Sequence, residues 1–155
     1  MLKKFVSSLL AVICLVGCSG GKSTSSNDTP ADLTKKIIAD LSLDTVQEVE
    51  TRVIPGLFFF EDGVYEEGSF YAADKLADCL GVFKVTDVNS AKETVQTYLD
   101  TRKSQLQMYA PSEVFKVDNA VIESNADTVI FIVCDDLEKA KETAKAALKW
   151  FKIKL

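Results

Sequence analysis

The chemistry open to this chain is bounded first by what its 155 residues lack, which is histidine. That removes the commonest general base and the commonest zinc ligand. A Ser-His-Asp triad and a Cys-His pair are both impossible. No glycine-rich phosphate loop is present. Gly20-Gly21-Lys22-Ser23 imitates the end of one, but no strand precedes it and no helix follows. No metal-ligand spacing or cofactor motif stands out, so no cofactor is expected. What remains is carboxylates, aromatic rings, one polar helix face and two cysteines. Glu61, Asp62, Glu66 and Glu67 form the densest acidic cluster. They could bind calcium or act as an acid–base pair, or simply solvate a turn; their spacing does not match the EF-hand loop. Phe58, Phe59, Phe60, Tyr65, Phe70 and Tyr71 crowd the same stretch. A groove lined by these rings and rimmed by the acids would suit a basic peptide or a glycan; the alternative is that the rings fill the core. Arg102, Gln105 and Tyr109 share a face at helical spacing. They could bind a carboxylate ligand, or pack their stems and bridge to a neighbouring acid. Cys79 and Cys134 either pair as a disulfide outside the membrane or serve as small apolar core residues.

A further cysteine, Cys18, stands in a different setting. Lys3 and Lys4 precede an apolar run from Phe5 to Val16, broken only by Ser7 and Ser8. The run is too short to span a membrane as a helix, and its basic flank fits a secretory signal. It ends in Leu15-Val16-Gly17-Cys18, which resembles the lipobox of bacterial lipoproteins. The resemblance implies that the Cys18 thiol accepts a diacylglycerol and that cleavage follows Gly17. Cys14 would leave with the signal. Residues 19–29 carry no apolar side chain, so they cannot bury surface and should act as a flexible tether with a reach of roughly 17–20 Å. Three segments are therefore expected: a signal at 1–17, the lipidated Cys18 and tether at 18–29, and one globular domain at 30–155. Losing the signal takes Lys3 and Lys4 and no acid, which moves the net charge from −5 to −7. An acidic domain without a basic cluster is a poor partner for nucleic acid. It also gains nothing from anionic lipid, so the acyl chains alone must hold it to the membrane.

The elements that must position these residues are legible from periodicity. Apolar residues at 47% and charged residues at 26% suit a globular domain. Thr29 and Pro30 open an amphipathic helix over 30–41, with Asp32 in its first turn and Leu33, Ile37 and Leu41 on one face. Residues 42–50 are ambiguous, and Val53-Ile54-Pro55-Gly56 reads as a turn. Residues 57–60 read as a short strand or a buried loop. Strands are expected at 69–73 and 80–85. A long helix is expected over 90–109, capped by Asn89 or Ser90, with Ala91, Val95, Leu99, Leu106 and Tyr109 inward. Strands at 120–123 and 128–134 follow, the second apolar on both faces like a central strand. Asp135-Asp136 then caps a last helix with Leu137, Ala140, Ala144, Leu148 and Phe151 inward. The expected fold is α+β, a four-stranded, mostly antiparallel sheet with helices packed on it, in the order α-β-β-α-β-β-α.

Several of these residues together resemble a known family. Ala77-Asp78 leads into Val82-Phe83-Lys84-Val85, the helix pattern Leu99, Arg102, Gln105, Tyr109, Pro111 follows, and Asp118-Asn119-Ala120-Val121 enters the next hairpin. Over residues 30–148 this is similar to the lipoprotein domain known as domain of unknown function 4358. The family usually carries an acidic residue after the Ala-Asp pair, where this chain has Cys79. The resemblance implies a lipid-anchored, extracytoplasmic α+β domain in a Gram-positive cell and assigns no activity. With no catalytic constellation in view, the leading expectation is a non-enzymatic binding or interaction module on the cell membrane. Its partner would be an extracytoplasmic protein, peptide or glycan, and contact is expected around residues 58–71. The rival is a carboxylate-based enzyme acting on cell-wall glycan or peptide.

Overall fold

The computed structural model describes residues 29–151; the signal, Cys18 and all of the expected tether but Thr29 lie outside them. Helix α1 (Pro30–Leu41) begins as its sequence requires. The Thr29 hydroxyl accepts from Asp32 N, the Asp32 carboxylate accepts from Thr29 N in return, and Pro30 takes the first helical position. The ambiguous stretch that follows supplies a two-residue strand, β1 (Gln47–Glu48). It pairs with β2 (Tyr65–Ala72), which pairs with β3 (Cys79–Val85). The second hairpin is β4 (Val121–Ser124) with β5 (Thr128–Val133). All pairings are antiparallel, in the order β1-β2-β3-β5-β4. The fold is α+β, but the sheet has five strands rather than the expected four. Two residues are too few to show a period, so the edge strand left no pattern to read.

The helices also depart from expectation in three places. Ile54-Pro55 starts a short helix, α2 (Ile54–Phe58), where a turn was expected, because proline is tolerated in a first helical turn. It ends at Phe59, whose φ of 57° is left-handed. The reading of 57–60 as a strand or loop is corrected accordingly. Helix α3 (Val88–Tyr109) starts two residues before the expected start. Its cap is Asp87, whose carboxylate accepts from Asn89 N and Ser90 N, and not Asn89 or Ser90. After Pro111 a 3₁₀ turn leads into α4 (Val114–Asp118). The last helix, α5 (Leu137–Phe151), is capped by Asp136, whose carboxylate accepts from Lys139 N.

Strand alternation divides the core into two. On one face Cys79, Phe83, Val129, Phe131 and Val133 pack under α2, α3 and α4. On the other Leu80, Val82, Ile130, Ile132 and Cys134 pack under α1 and α5. The central pair β3–β5 is therefore apolar on both sides. Gly81 opposes Phe131 in the register, and a Cβ there would overlap the Phe131 ring. Only glycine leaves room for that ring.

The same alternation decides between the two readings of Cys79 and Cys134, against the disulfide and for buried core residues. Cys79 is registered against Val133, so the next residue, Cys134, points to the opposite face. Both thiols are free and buried, one in each core. Burial pushes the Cys79 thiol up to about 12, against the opposing pull of the Arg102 charge. The Tyr98 phenol is also raised, chiefly by burial. The consequence for stability has a definite sign. A free cysteine loses its proton near pH 8.5, roughly, while folded Cys79 keeps it until about 12. The contribution is complete below the free value and is lost as pH rises through that window. Denaturant unfolding at pH 7, 9 and 10 should show stability falling above pH 9, and Cys79→Ala should flatten that fall. An unchanged slope in Cys79→Ala would contradict the assignment.

Candidate functional site

The six aromatics expected to line a groove separate once the chain folds. Phe58 is the hub of a ring cluster in the α3-side core. Its centroid lies 4.4 Å from Tyr98, 4.9 Å from Phe83, 5.1 Å from Phe70 and 5.7 Å from Phe131. Phe70 is buried there, and Phe60 and Tyr65 pack against it half-buried. Tyr71 alternates to the other side of β2, beside Glu48 of the edge strand. These five are core or edge residues, so the expectation of a contact stretch from Phe58 to Tyr71 narrows to a single ring. Phe59 is 84% exposed. It is thrown outward because α2 stops there in a left-handed turn, with Phe58 directed inward and Phe60 half inward on either side.

Beside Phe59 runs a groove of about 320 Å³ between α2 and α3. Leu57, Phe58, Phe59 and Tyr98 give it apolar surface, and Thr97, Thr101, Arg102 and Gln105 give it polar groups. Arg102 and Gln105, expected to share a helix face, do meet here. Tyr109 lies further along α3, 55% exposed and outside the groove, so its expected inward position is corrected. Arg102 has a structural duty as well: its Nη2 donates to the carbonyls of Ala73 at 2.9 Å and Leu76 at 2.6 Å, tying the β2–β3 turn to α3. Its Nε is buried with no partner, and among the described residues no carboxylate pairs with it. The acids expected as a rim are elsewhere. Glu61 accepts from Ser90 at 3.4 Å, Glu66 pairs with Lys84 at 3.6 Å, and none of Glu61, Asp62, Glu66 and Glu67 lines the groove. Among the described residues no group of three or more acidic or thiol side chains is placed to hold a metal ion.

A second polar constellation escaped the sequence reading. Lys116, on α4, is only 5% exposed. Its ammonium donates to Glu113 at 3.1 Å, Asp135 at 3.1 Å and Asp78 at 3.3 Å, and the Asp78 residue is itself 6% exposed. Glu113 also accepts from Ala77 N at 3.0 Å. Burial alone would lower the Lys116 pKa, but hydrogen bonds to Glu113 and Asp135 and the Asp78 charge outweigh it and raise it. The amine is therefore a locked cation, unsuited to act as nucleophile or base at neutral pH. The network joins α4, the residue before β3 and the end of β5, and it lines a hollow of about 330 Å³ with Cys134. The signal that could have found it is Glu113 three residues before a lysine flanked by Phe115 and Val117, with Val117 also buried. A larger hollow, about 490 Å³, lies between α1 and α5. Lys36, Lys139, Asp40 and Glu142 line it, and none of the buried unpartnered polar atoms lies there.

The two kinds of ion contact in the Lys116 network should differ in cost. Lys116→Met strands the buried Asp78 carboxylate and should destabilise the fold by about 3–5 kcal/mol at pH 7. Asp135→Asn removes a partner whose side chain is 74% exposed, and should cost less than about 1 kcal/mol. Because the Lys116 pKa is raised, the lysine's contribution is complete below a free lysine's value of about 10.4 and is lost above it. Urea midpoints for both variants at pH 7 and pH 11 give the comparison; equal costs at pH 7 would refute the central place given to Lys116.

No curated protein and no solved structure matches the chain. A family model does match, over residues 39–134, which is more than half the chain. That span holds the whole sheet, the α2–α3 groove and the Asp78, Glu113 and Lys116 network. The chain accordingly belongs to the family described as Domain of unknown function (DUF4358).

Proposed function

We propose that this chain is a lipid-anchored, extracytoplasmic binding module, held to the cell membrane through Cys18 and contacting its partner at Phe59 and the adjoining α2–α3 groove. The observation that carries the contact is Phe59 itself. A phenylalanine is among the residues least suited to a left-handed backbone, where glycine is the usual choice. Here one occupies that position while exposing 84% of its surface. It gains little from burial, so the fold does not explain its presence. Strained residues of this kind concentrate where they serve binding, and exposed aromatic rings are frequent anchors of interfaces. The anchor rests on the basic n-region, the apolar run and the Leu-Val-Gly-Cys ending at Cys18. The carboxylate-enzyme reading gains no support from the site, because Asp78, Glu113 and Asp135, the acids that do converge, are all tied to one lysine.

Two outcomes are expected. Cys18→Ser should abolish incorporation of radiolabelled palmitate and cleavage before residue 18; a Cys18→Ser protein that still takes up label would end the lipoprotein reading. Phe59→Gly should relieve the backbone and stabilise the domain by roughly 1 kcal/mol, yet weaken capture of the partner from the cell's own membranes. Loss of stability in Phe59→Gly, or unaltered capture, would show that the ring serves the fold and not a contact.

A further inference from the structure

The groove beside Phe59 holds a chemical combination that narrows its ligand. Resting on the binding reading above, we infer that it receives the C-terminus of a peptide, with the free carboxylate at Arg102 and an apolar terminal side chain against Leu57, Phe58 and Tyr98.

The charge is the first ground. The full chain carries 23 acidic and 18 basic residues, so acids outnumber the cations that could pair with them. Lys84, Lys103, Lys116 and Lys145 each pair with one. Arg102 does not, among the described residues. Its only protein acceptors there are the Ala73 and Leu76 carbonyls, which fix one edge of the guanidinium without neutralising it. Its buried Nε has no acceptor at all. A buried donor left unpaired is costly, and native folds rarely keep one without a reason. A carboxylate entering the groove supplies the missing charge, and guanidinium–carboxylate pairing is the strong, planar form of this contact.

The second ground is the direction of the hydroxyl protons. Thr101 donates to the Thr97 carbonyl at 3.0 Å, and Thr97 donates to the Glu93 carbonyl at 3.0 Å. Both hydroxyls have spent their protons within α3, so toward the groove they can only accept. Gln105, exposed on the next turn, offers a carbonyl and an amide. Acceptors beside a cation match the backbone N–H groups that precede a terminal carboxylate. They match a phosphate poorly, since it would bring only acceptors to meet them. The third ground is size. At about 320 Å³ the groove is at the small end of ligand sites, enough for a terminal residue or two and not for a long helix. Phe59, at its margin, would then cover the incoming side chain.

The test uses the chain as its cells make it, purified in mild detergent, and an N-acetylated tripeptide ending in phenylalanine as either the free acid or the amide. Titration followed by the amide resonances of Thr97, Thr101 and Gln105 should show the acid binding about tenfold or more tightly than the amide, with affinity falling as salt rises. Arg102→Gln should erase the preference, but it also removes the clamp on the β2–β3 turn. Gln105→Glu is therefore the second variant: it leaves the clamp intact and places a competing carboxylate beside Arg102, so acid binding should be lost while the unfolding midpoint holds. Acid and amide binding equally would overturn the inference and leave an apolar contact site. Neither peptide binding, while Phe59→Gly still weakens partner capture, would overturn the inference and leave the binding module standing. Neither peptide binding and no effect of Phe59→Gly would end both.

Discussion

The insertion of the Phe58 ring among Tyr98, Phe83, Phe70 and Phe131 is the contact on which the rest of the site depends. Burying a ring of this size stabilises by roughly 1.5–3 kcal/mol, and edge-on and offset partners add about 0.5–1.5 kcal/mol each. A five-residue helix could not hold itself in water; α2 persists because Phe58 and Ile54 are driven into that core. Once Phe58 is fixed inward, the next residue must leave in another direction, and a left-handed turn takes it out to solvent. The groove is the space left where so short a helix lies against one as long as α3.

The sheet makes that contact possible. Phe131 and Phe83 stand side by side on β5 and β3, and Gly81 and Gly68 clear the volume their rings occupy. At the far end, Arg102 and Lys116 perform related tasks by different chemistry. Arg102 ties the β2–β3 turn to α3 through carbonyls and keeps its charge uncompensated. Lys116 ties α4 to β3 and β5 through carboxylates, which compensate its charge. One cation is thereby available to a ligand and the other is not, a difference that follows from their partners and not from their residue types.

The strong periodic elements were legible from the sequence: α1 with its Thr29 cap, β3, β5, α3 and α5 all carry a recurring apolar stripe or run, whereas β2 starts at Tyr65, before the expected 69, because Glu66 and Glu67 read as a turn. The short ones were not. β1 is held by pairing with Ala72 and Tyr71, a long-range contact that leaves no local trace. α2 and α4 have only five residues each, and Ile54-Pro55-Gly56 has the composition of a turn. For the site, the face shared by Arg102 and Gln105 could be read from helical spacing, whereas the fate of three consecutive phenylalanines could not. Composition marks Phe58, Phe59 and Phe60 alike; only the left-handed backbone at Phe59 separates them. The choice between a disulfide and two core cysteines stayed open because strand parity depends on register, which one residue's shift reverses. Lys116 was missed because two of its three acids, Asp78 and Asp135, come from other parts of the chain.

The central claim is that the fold buries Phe58 and spends Phe59 on the surface. The most direct measurement is fluorine NMR of 4-fluorophenylalanine placed singly at position 58 or position 59, with a soluble nitroxide as the relaxation agent. The account requires strong nitroxide broadening at position 59 and almost none at position 58 in the unliganded domain. Protection of both positions would mean that Phe59 belongs to the core, and broadening of both would mean that α2 is not pinned by the ring cluster; either result would contradict the account.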